Sequence, residues 1–192
     1  ADILIYKAHY VPVGVDQVPH IELTREVARR FHFLYRPVLV EPEPLLTEFP
    51  KIPGTDGRKM SKSYDNAIFL SDTPEEITAK IKPMITDPAR KRRTDPGNPE
   101  VCPVYDLHKV FTPKAERDSY IVPGCTTAGI GCLDCKQVLL KHALPMLAPI
   151  SERRAELARD PDTVLEILED GTARAKKVAS ETLAEVKAAM QI

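Results

Sequence analysis

The chain has 192 residues, with 27 Lys and Arg against 28 Asp and Glu and a formal net charge of −1. That is one large domain or two small ones with ample chain for a packed core. The balanced charge excludes a polybasic arm as the whole basis of nucleic-acid binding, so any such contact must come from local patches. Hydrophobic residues at 43% and charged residues at 29% exclude wholesale disorder. No apolar run approaches the roughly 20 residues of a membrane helix, and there is no signal-peptide core. A cytoplasmic location without a membrane partner is therefore expected. The 18 prolines against 8 glycines predict stiff loops and sharply bounded helices.

The chain opens on Ala1-Asp2-Ile3-Leu4-Ile5-Tyr6, an apolar segment without an initiator Met that reads as the middle of an element. The expectation is a fragment of a longer polypeptide. Tyr10-Val11-Pro12-Val13 is a β-prone run ending at Gly14. From Val18 to Leu34, Leu23, Val27, Phe31 and Leu34 recur at helical spacing with charged residues between them. The strand, the Gly-containing turn and this helix make half of a βαβ unit, and Val38-Leu39-Val40 is a candidate next strand. Residues 41–63 read as loop.

Thr73-Pro74-Glu75-Glu76 carries a Thr cap, a proline at the first helical position and a Glu three residues after the cap, a strong helix start. Ile77, Ile81 and Ile85 should line its buried face. A polar, proline-containing loop over 86–103 holds Arg90-Lys91-Arg92-Arg93. Residues 123–134 are rich in Gly and Cys. A helix is expected from Gln137 to about Glu156 with a kink at Pro145, and another from Asp160-Pro161 to Gly171. A last helix should bury Ala175, Val178, Ala179, Thr182, Val186, Ala189 and Met190. The sheet signal lies before residue 50 and the helical signal after 70.

Lys59-Met60-Ser61-Lys62-Ser63 places two lysines and two hydroxyls in a glycine-flanked loop. Lysines supply point charge and hydroxyls and backbone N–H groups supply hydrogen bonds, a set suited to an anion with several phosphates. A solvated loop is the plain alternative. The string KMSKS is similar to the signature of class I aminoacyl-tRNA synthetases. Before it, Val11-Pro12-Val13-Gly14-Val15-Asp16-Gln17 follows the candidate strand. There Gly permits close backbone approach and Asp can accept from ribose hydroxyls. The segment ADILIYKAHYVPVGVDQVPHIELTREVARRF resembles the second half of the catalytic domain of bacterial tryptophanyl-tRNA synthetases, and GTARAKKVASETLAEV resembles that family's last helix. The resemblance covers nearly the whole chain.

It implies a fold that is α/β and then all-α. The second half of a Rossmann-type class I synthetase catalytic domain (1–66, ending in the KMSKS loop) would precede a helical anticodon-binding domain (67–160). C-terminal helices (161–192) would pack back toward the catalytic domain. By resemblance, Asp2 accepts the indole N–H of the substrate, a role that suits a group with one donor and no acceptor. Val11 and Val13 wall the amino-acid pocket. Gln17 holds the amino acid's polar end and, with Gly14 and Asp16, contributes to the ATP site. Lys59, Met60, Ser61, Lys62 and Ser63 steady the phosphates, with Lys59, Ser61 and Lys62 as the catalytic set. Tyr64, and Val15 where the family often has Glu, depart from its pattern.

Cys102, Cys125, Cys132 and Cys135 are spaced C-x22-C-x6-C-x2-C. A structural zinc site usually has two tight pairs, and only Cys132 and Cys135 are tight here. Three cysteines bunched and one distant are closer to an iron–sulfur loop. The spacing also resembles that of a subset of tryptophanyl-tRNA synthetases with a [4Fe-4S] cluster. Zinc and free or disulfide-bonded cysteines are the alternatives. Arg90, Lys91, Arg92 and Arg93 are tRNA phosphate candidates, or simply a solvated charge run.

The family reaction joins tryptophan to tRNA(Trp) through an adenylate made with ATP and Mg²⁺, in a homodimer. Class I enzymes also carry a HIGH-like motif in the first half of the nucleotide fold. This chain has none, so the N-terminal half of the enzyme is expected as its partner. The tyrosyl branch and a non-catalytic zinc or iron–sulfur tRNA-binding module are the competing readings.

Overall fold

The computed structural model describes residues 1–46, 49 and 52–192. In chain order it has a 3₁₀ turn at Leu4–Tyr6, strand β1 (Tyr10–Val13), a 3₁₀ turn at Val15–Gln17, helix α1 (Val18–Leu34) and strand β2 (Glu43–Leu46). A 3₁₀ turn at Lys62–Tyr64 precedes α2 (Pro74–Ile81), and another at Pro99–Val101 precedes α3 (Pro103–Phe111). Then come α4 (Lys114–Glu116), a π-helical stretch at Arg117–Ile121, α5 (Val122–Thr126), α6 (Cys132–Arg159) and α7 (Pro161–Met190). These form two compact units, one of residues 1–50 with 160–192 and one of residues 51–159. The boundary expected at 66 therefore falls inside the second unit, and the Lys59–Ser63 loop is grouped with the helices.

In the first unit β1 and β2 pair in parallel, with Tyr10 opposite Glu43 and Val13 opposite Leu46. Parallel strands need a crossover, and α1 supplies it. The second strand is not the expected Val38–Val40 but lies in the segment read as loop. The cause is local: His32 Nε2 accepts the Leu39 N–H at 3.2 Å, so this stretch runs along the helix instead of a ladder. Arg25 then donates to the Pro42 carbonyl at 2.9 Å, and Arg29 pairs with Glu41 at 2.8 Å. Pro44 is tolerated because β2 is an edge among the described residues. The stripe expected to be buried on α1 is also displaced. Ile21 and Ala28 are buried, whereas Leu23 is 63% and Val27 51% exposed. The helix presents its 21–25–28–32 face to its own unit, the face that carries the Arg25 and His32 contacts.

Helix α7 runs unbroken through Gly171, correcting the expected stop. A lone glycine costs about 1 kcal/mol in a helix interior but does not by itself end one. Of the stripe expected to be buried, Thr182 is buried, Ala175, Ala179, Val186, Ala189 and Met190 are half-buried, and Val178 is exposed. Lys7 Nζ reaches Glu185 at 2.8 Å and ties the first turn to this helix.

The second unit packs α2, α3 and α6 around Ile77, Ile81, Met84, Val104, Leu107, Leu139 and Leu140. Burying such side chains stabilises by about 1.5–3 kcal/mol each. The capping box of α2 is formed. Glu76 N donates to Thr73 Oγ1 at 3.2 Å, and Thr73 N donates to Glu76 Oε2 at 2.8 Å. Ile85 is 47% exposed because the helix ends at Ile81, four residues short of it. The buried Lys136 caps that end, its Nζ donating to the Lys82 and Met84 carbonyls. Helix α6 starts earlier than expected and contains both Pro145 and Pro149. No helix among the described residues is long and apolar enough to cross a membrane.

Candidate functional site

The expected pocket residues lie at the start of the first unit. Val11 and Val13, two apart on β1, share a face and are half-buried. Gly14 is extended and leads into the 3₁₀ turn that presents Asp16 and Gln17 to solvent, where Gln17 Nε2 donates to Asp16 Oδ2 at 3.3 Å. Asp2 is exposed and lies just before the first 3₁₀ turn.

The Lys59–Ser63 loop, in the second unit, is organised around a residue that sequence reasoning missed. Asn66 is 2% exposed. Its Nδ2 donates to Asp56 Oδ1 at 2.7 Å and to the Lys59 carbonyl at 3.1 Å, and its Oδ1 accepts from Ser61 N at 2.8 Å. Gly54 makes room for it, since a Cβ there would lie 2.2 Å from Asn66 Nδ2. Gly57 turns the chain at φ 78°, a conformation that other residues rarely adopt. Arg58 donates to Asp56 and lies over the Tyr64 ring, 4.7 Å from its centroid, so the departure at Tyr64 braces the loop. The Asn66 hydrogen bond, followed by those of Arg58, holds the Asp56 carboxyl below its ordinary range. Ser61 and Ser63 hydroxyls meet at 2.8 Å, and the Lys59 and Lys62 side chains are exposed. Two cations and two hydroxyls thus stand on a loop whose backbone is pinned from behind. The signal available in sequence was a lone Asn three residues after the motif, with Gly twelve residues before it.

The four cysteines come from three segments and line one cleft. Cys102 precedes α3, Cys125 lies in α5, and Cys132 and Cys135 open α6. All four are free, which removes the disulfide alternative. Burial and the three neighbouring cysteines push the Cys135 thiol up to about 12. Among the described residues no three His, Cys, Asp or Glu side chains stand close enough to share one metal ion. The zinc and cluster expectations therefore rest on donor type and not on a preformed cage.

Burial alone therefore disfavours the thiolate form at Cys125 and Cys135, and the nearby Arg90 cation opposes it. Arg90 is buried, its Nη1 is 4.0 Å from Cys125 Sγ, and its Nε has no partner. His108 Nε2 lies 3.2 Å from Cys135 Sγ and its Nδ1 2.8 Å from Thr112 Oγ1; burial pushes the ring down to about 4, so it is neutral. The left-handed residue of the neighbouring loop is Ala128, not one of its glycines. Arg90 leaves the expected basic run, because its Nη2 is taken by the Arg93 and Ile130 carbonyls. Lys91, Arg92 and Arg93 remain exposed.

Residues 1–147 match the family described as tRNA synthetases class I (W and Y). The chain is 54% identical to the tryptophan–tRNA ligase of Thermotoga maritima, covering 100% of this chain and 58% of that protein. It is 52% identical to the Aquifex aeolicus ligase of the same name, covering 100% of this chain and 49% of that one. A crystal structure of tryptophanyl-tRNA synthetase from Campylobacter jejuni with ADP and tryptophan superposes with TM-score 0.75 at 28% identity, over 100% of this chain and 59% of that one. The chain thus spans 49% to 59% of the length of these proteins. It has the class I synthetase fold, here mostly helical with a small parallel sheet. The chain belongs to the class I tRNA synthetases of the tryptophan and tyrosine group.

Proposed function

We propose that this chain is the KMSKS-bearing part of a cytoplasmic, homodimeric tryptophan–tRNA ligase. The observation that carries the reading is the loop at Lys59–Ser63: two exposed lysines on a backbone held rigid by Asn66, in a member of this family. The relatives named as tryptophan–tRNA ligases support tryptophan over tyrosine. In the reaction the tryptophan carboxylate attacks the α-phosphorus of ATP and pyrophosphate leaves. Lys59 and Lys62 neutralise charge that grows on the departing phosphates, and Ser61 and Ser63 offer hydroxyls to the same oxygens. Mg²⁺ bound with ATP would add charge neutralisation. Gly14, Asp16 and Gln17 bind the ribose and the amino acid's polar end, Val11 and Val13 hold the indole, and Asp2 accepts its N–H. Lys91, Arg92 and Arg93 contact tRNA(Trp) phosphates.

For the cysteines, we infer a thiolate-bound [4Fe-4S] cluster, with zinc second. The soft donor set and the unpartnered Arg90 Nε beside it support it. Bound there, it would tie α3, α5 and α6 together without entering the adenylation chemistry.

Pyrophosphate exchange by the full-length protein tests the reading. Lys59→Ala and Lys62→Ala should each lower kcat by about a hundredfold and leave the KM for tryptophan within about twofold, the pattern for groups that act in the transition state. A raised KM at constant kcat would make the loop a ground-state binding element and contradict the proposal. Asp2→Asn should cost about 2–3 kcal/mol in kcat/KM for tryptophan, the scale of a hydrogen bond to a charge. An unchanged kcat/KM removes Asp2 from the pocket.

A further inference from the structure

We infer that Asn66 is a positioning residue for phosphate chemistry, the latch that sets the Lys59–Ser63 loop in its working shape; this rests on the reading of that loop as the pyrophosphate binder. Asp56, as a carboxylate, can only accept, so the face of Asn66 turned to it is the NH₂ group. The same NH₂ also reaches the Lys59 carbonyl, which leaves Oδ1 for the Ser61 N–H. One buried amide therefore ties residues 56, 59 and 61 together, gripping the loop on both sides of Met60. Its own backbone is fixed as well, because Thr55 N donates to the Asn66 carbonyl at 2.9 Å.

No other side chain of this size satisfies all three partners. A carboxylate at 66 would face the Asp56 carboxylate and the Lys59 carbonyl, acceptor against acceptor. A leucine would leave the Ser61 N–H and the Lys59 carbonyl without partners in a buried place. Lys59 and Lys62 make no hydrogen bond from their own ammonium groups among the described residues. Where their charges stand is set by the backbone, and the backbone is set by Asn66. A misplacement of about 1 Å at a site that works by positioning costs on the order of a hundredfold in rate.

The test uses the full-length protein with Asn66→Asp, Asn66→Ala, and the polarity swap Asp56→Asn with Asn66→Asp. Two readouts are taken: kcat and KM for tryptophan-dependent pyrophosphate exchange, and hydrogen exchange at the Ser61 amide. Asn66→Asp should lower kcat by about tenfold to a hundredfold with the KM for tryptophan held, and speed Ser61 exchange by about tenfold or more. The swap restores an acceptor–donor pair and should recover part of both losses; Asn66→Ala should not be rescued by Asp56→Asn. Unchanged Ser61 exchange overturns the latch, and so does faster exchange with unchanged kcat while Lys59→Ala remains impaired. If the unaltered enzyme shows no exchange activity, the proposed function fails, and the Ser61 readout alone then decides whether Asn66 holds the loop.

Discussion

The Lys59–Ser63 loop and the cysteine cleft both gather four chemically useful side chains in the same compact unit, and they do so in opposite ways. The loop is local: its functional residues are consecutive, and its latch, Asn66, lies three residues on. Its order comes from hydrogen bonds that satisfy every polar group of one small amide. The cleft is assembled from segments up to 33 residues apart in sequence, counting from Cys102 to Cys135. Its order comes from the apolar core, against which Cys102 and Cys135 pack. A local site survives damage to the core of its unit better than a dispersed one does.

The largest effect should come from that core. Leu139 is fully buried. Leu139→Ala should destabilise the protein by about 2–5 kcal/mol in denaturant unfolding, and any iron or zinc carried by the four cysteines should be lost before the loop's Ser61 protection. Simultaneous loss would mean that the two regions share one source of order. Cys132→Ser and Cys135→Ser come next. Each should abolish metal content in anaerobically prepared protein and open the segment around Gly124–Gly131 to protease first, with Ser61 exchange unmoved. Anaerobic protein that is colourless and iron-free would remove the cluster, and stoichiometric zinc would replace it.

Thr73→Ala should cost about 1 kcal/mol, because it removes the oxygen that accepts the Glu76 N–H at the start of α2. A value near zero would show that core packing alone fixes this helix. The smallest effect concerns pH. The folded-state Asp56 carboxyl lies below its ordinary 3.8, so its contribution is fully present above that value and is lost as pH falls through the lower, folded-state value. Loop order followed by Ser61 exchange, once corrected for intrinsic rate, should be flat from neutral pH to about pH 4 and fall only below it. A transition near pH 6 would assign control to a histidine instead.

What could be read from the sequence follows the same division. The capped start of α2 and the last helix carry a cap within four residues or a helical period, and these specify them directly; α1 was legible as a helix, but its apolar stripe named the wrong face. The KMSKS loop was legible because its chemistry is contiguous. Strand β2 was not, since Glu43-Pro44-Leu45-Leu46 has weak strand propensity and forms only because β1 offers a ladder. Gly171 marks no boundary, because the chain on both sides prefers helix. The role of Arg90 was hidden inside a run of like residues. Only the fold reveals that it turns inward to the Ile130 carbonyl while Lys91 and Arg92 stay in solvent. Asn66 was missed because its three partners are polar groups that no hydrophobic pattern marks.

Pyrophosphate exchange by the full-length protein, measured with tryptophan and separately with tyrosine, tests the central claim most directly. The account predicts ATP–pyrophosphate exchange that depends on tryptophan, is lost in Lys59→Ala, and is lower with tyrosine by several orders of magnitude. A site built to bond the indole N–H rejects a substrate that lacks it by on the order of 10⁴-fold. Equal exchange with both amino acids, or tryptophan-dependent exchange that survives the loss of Lys59 and Lys62 together, would contradict it.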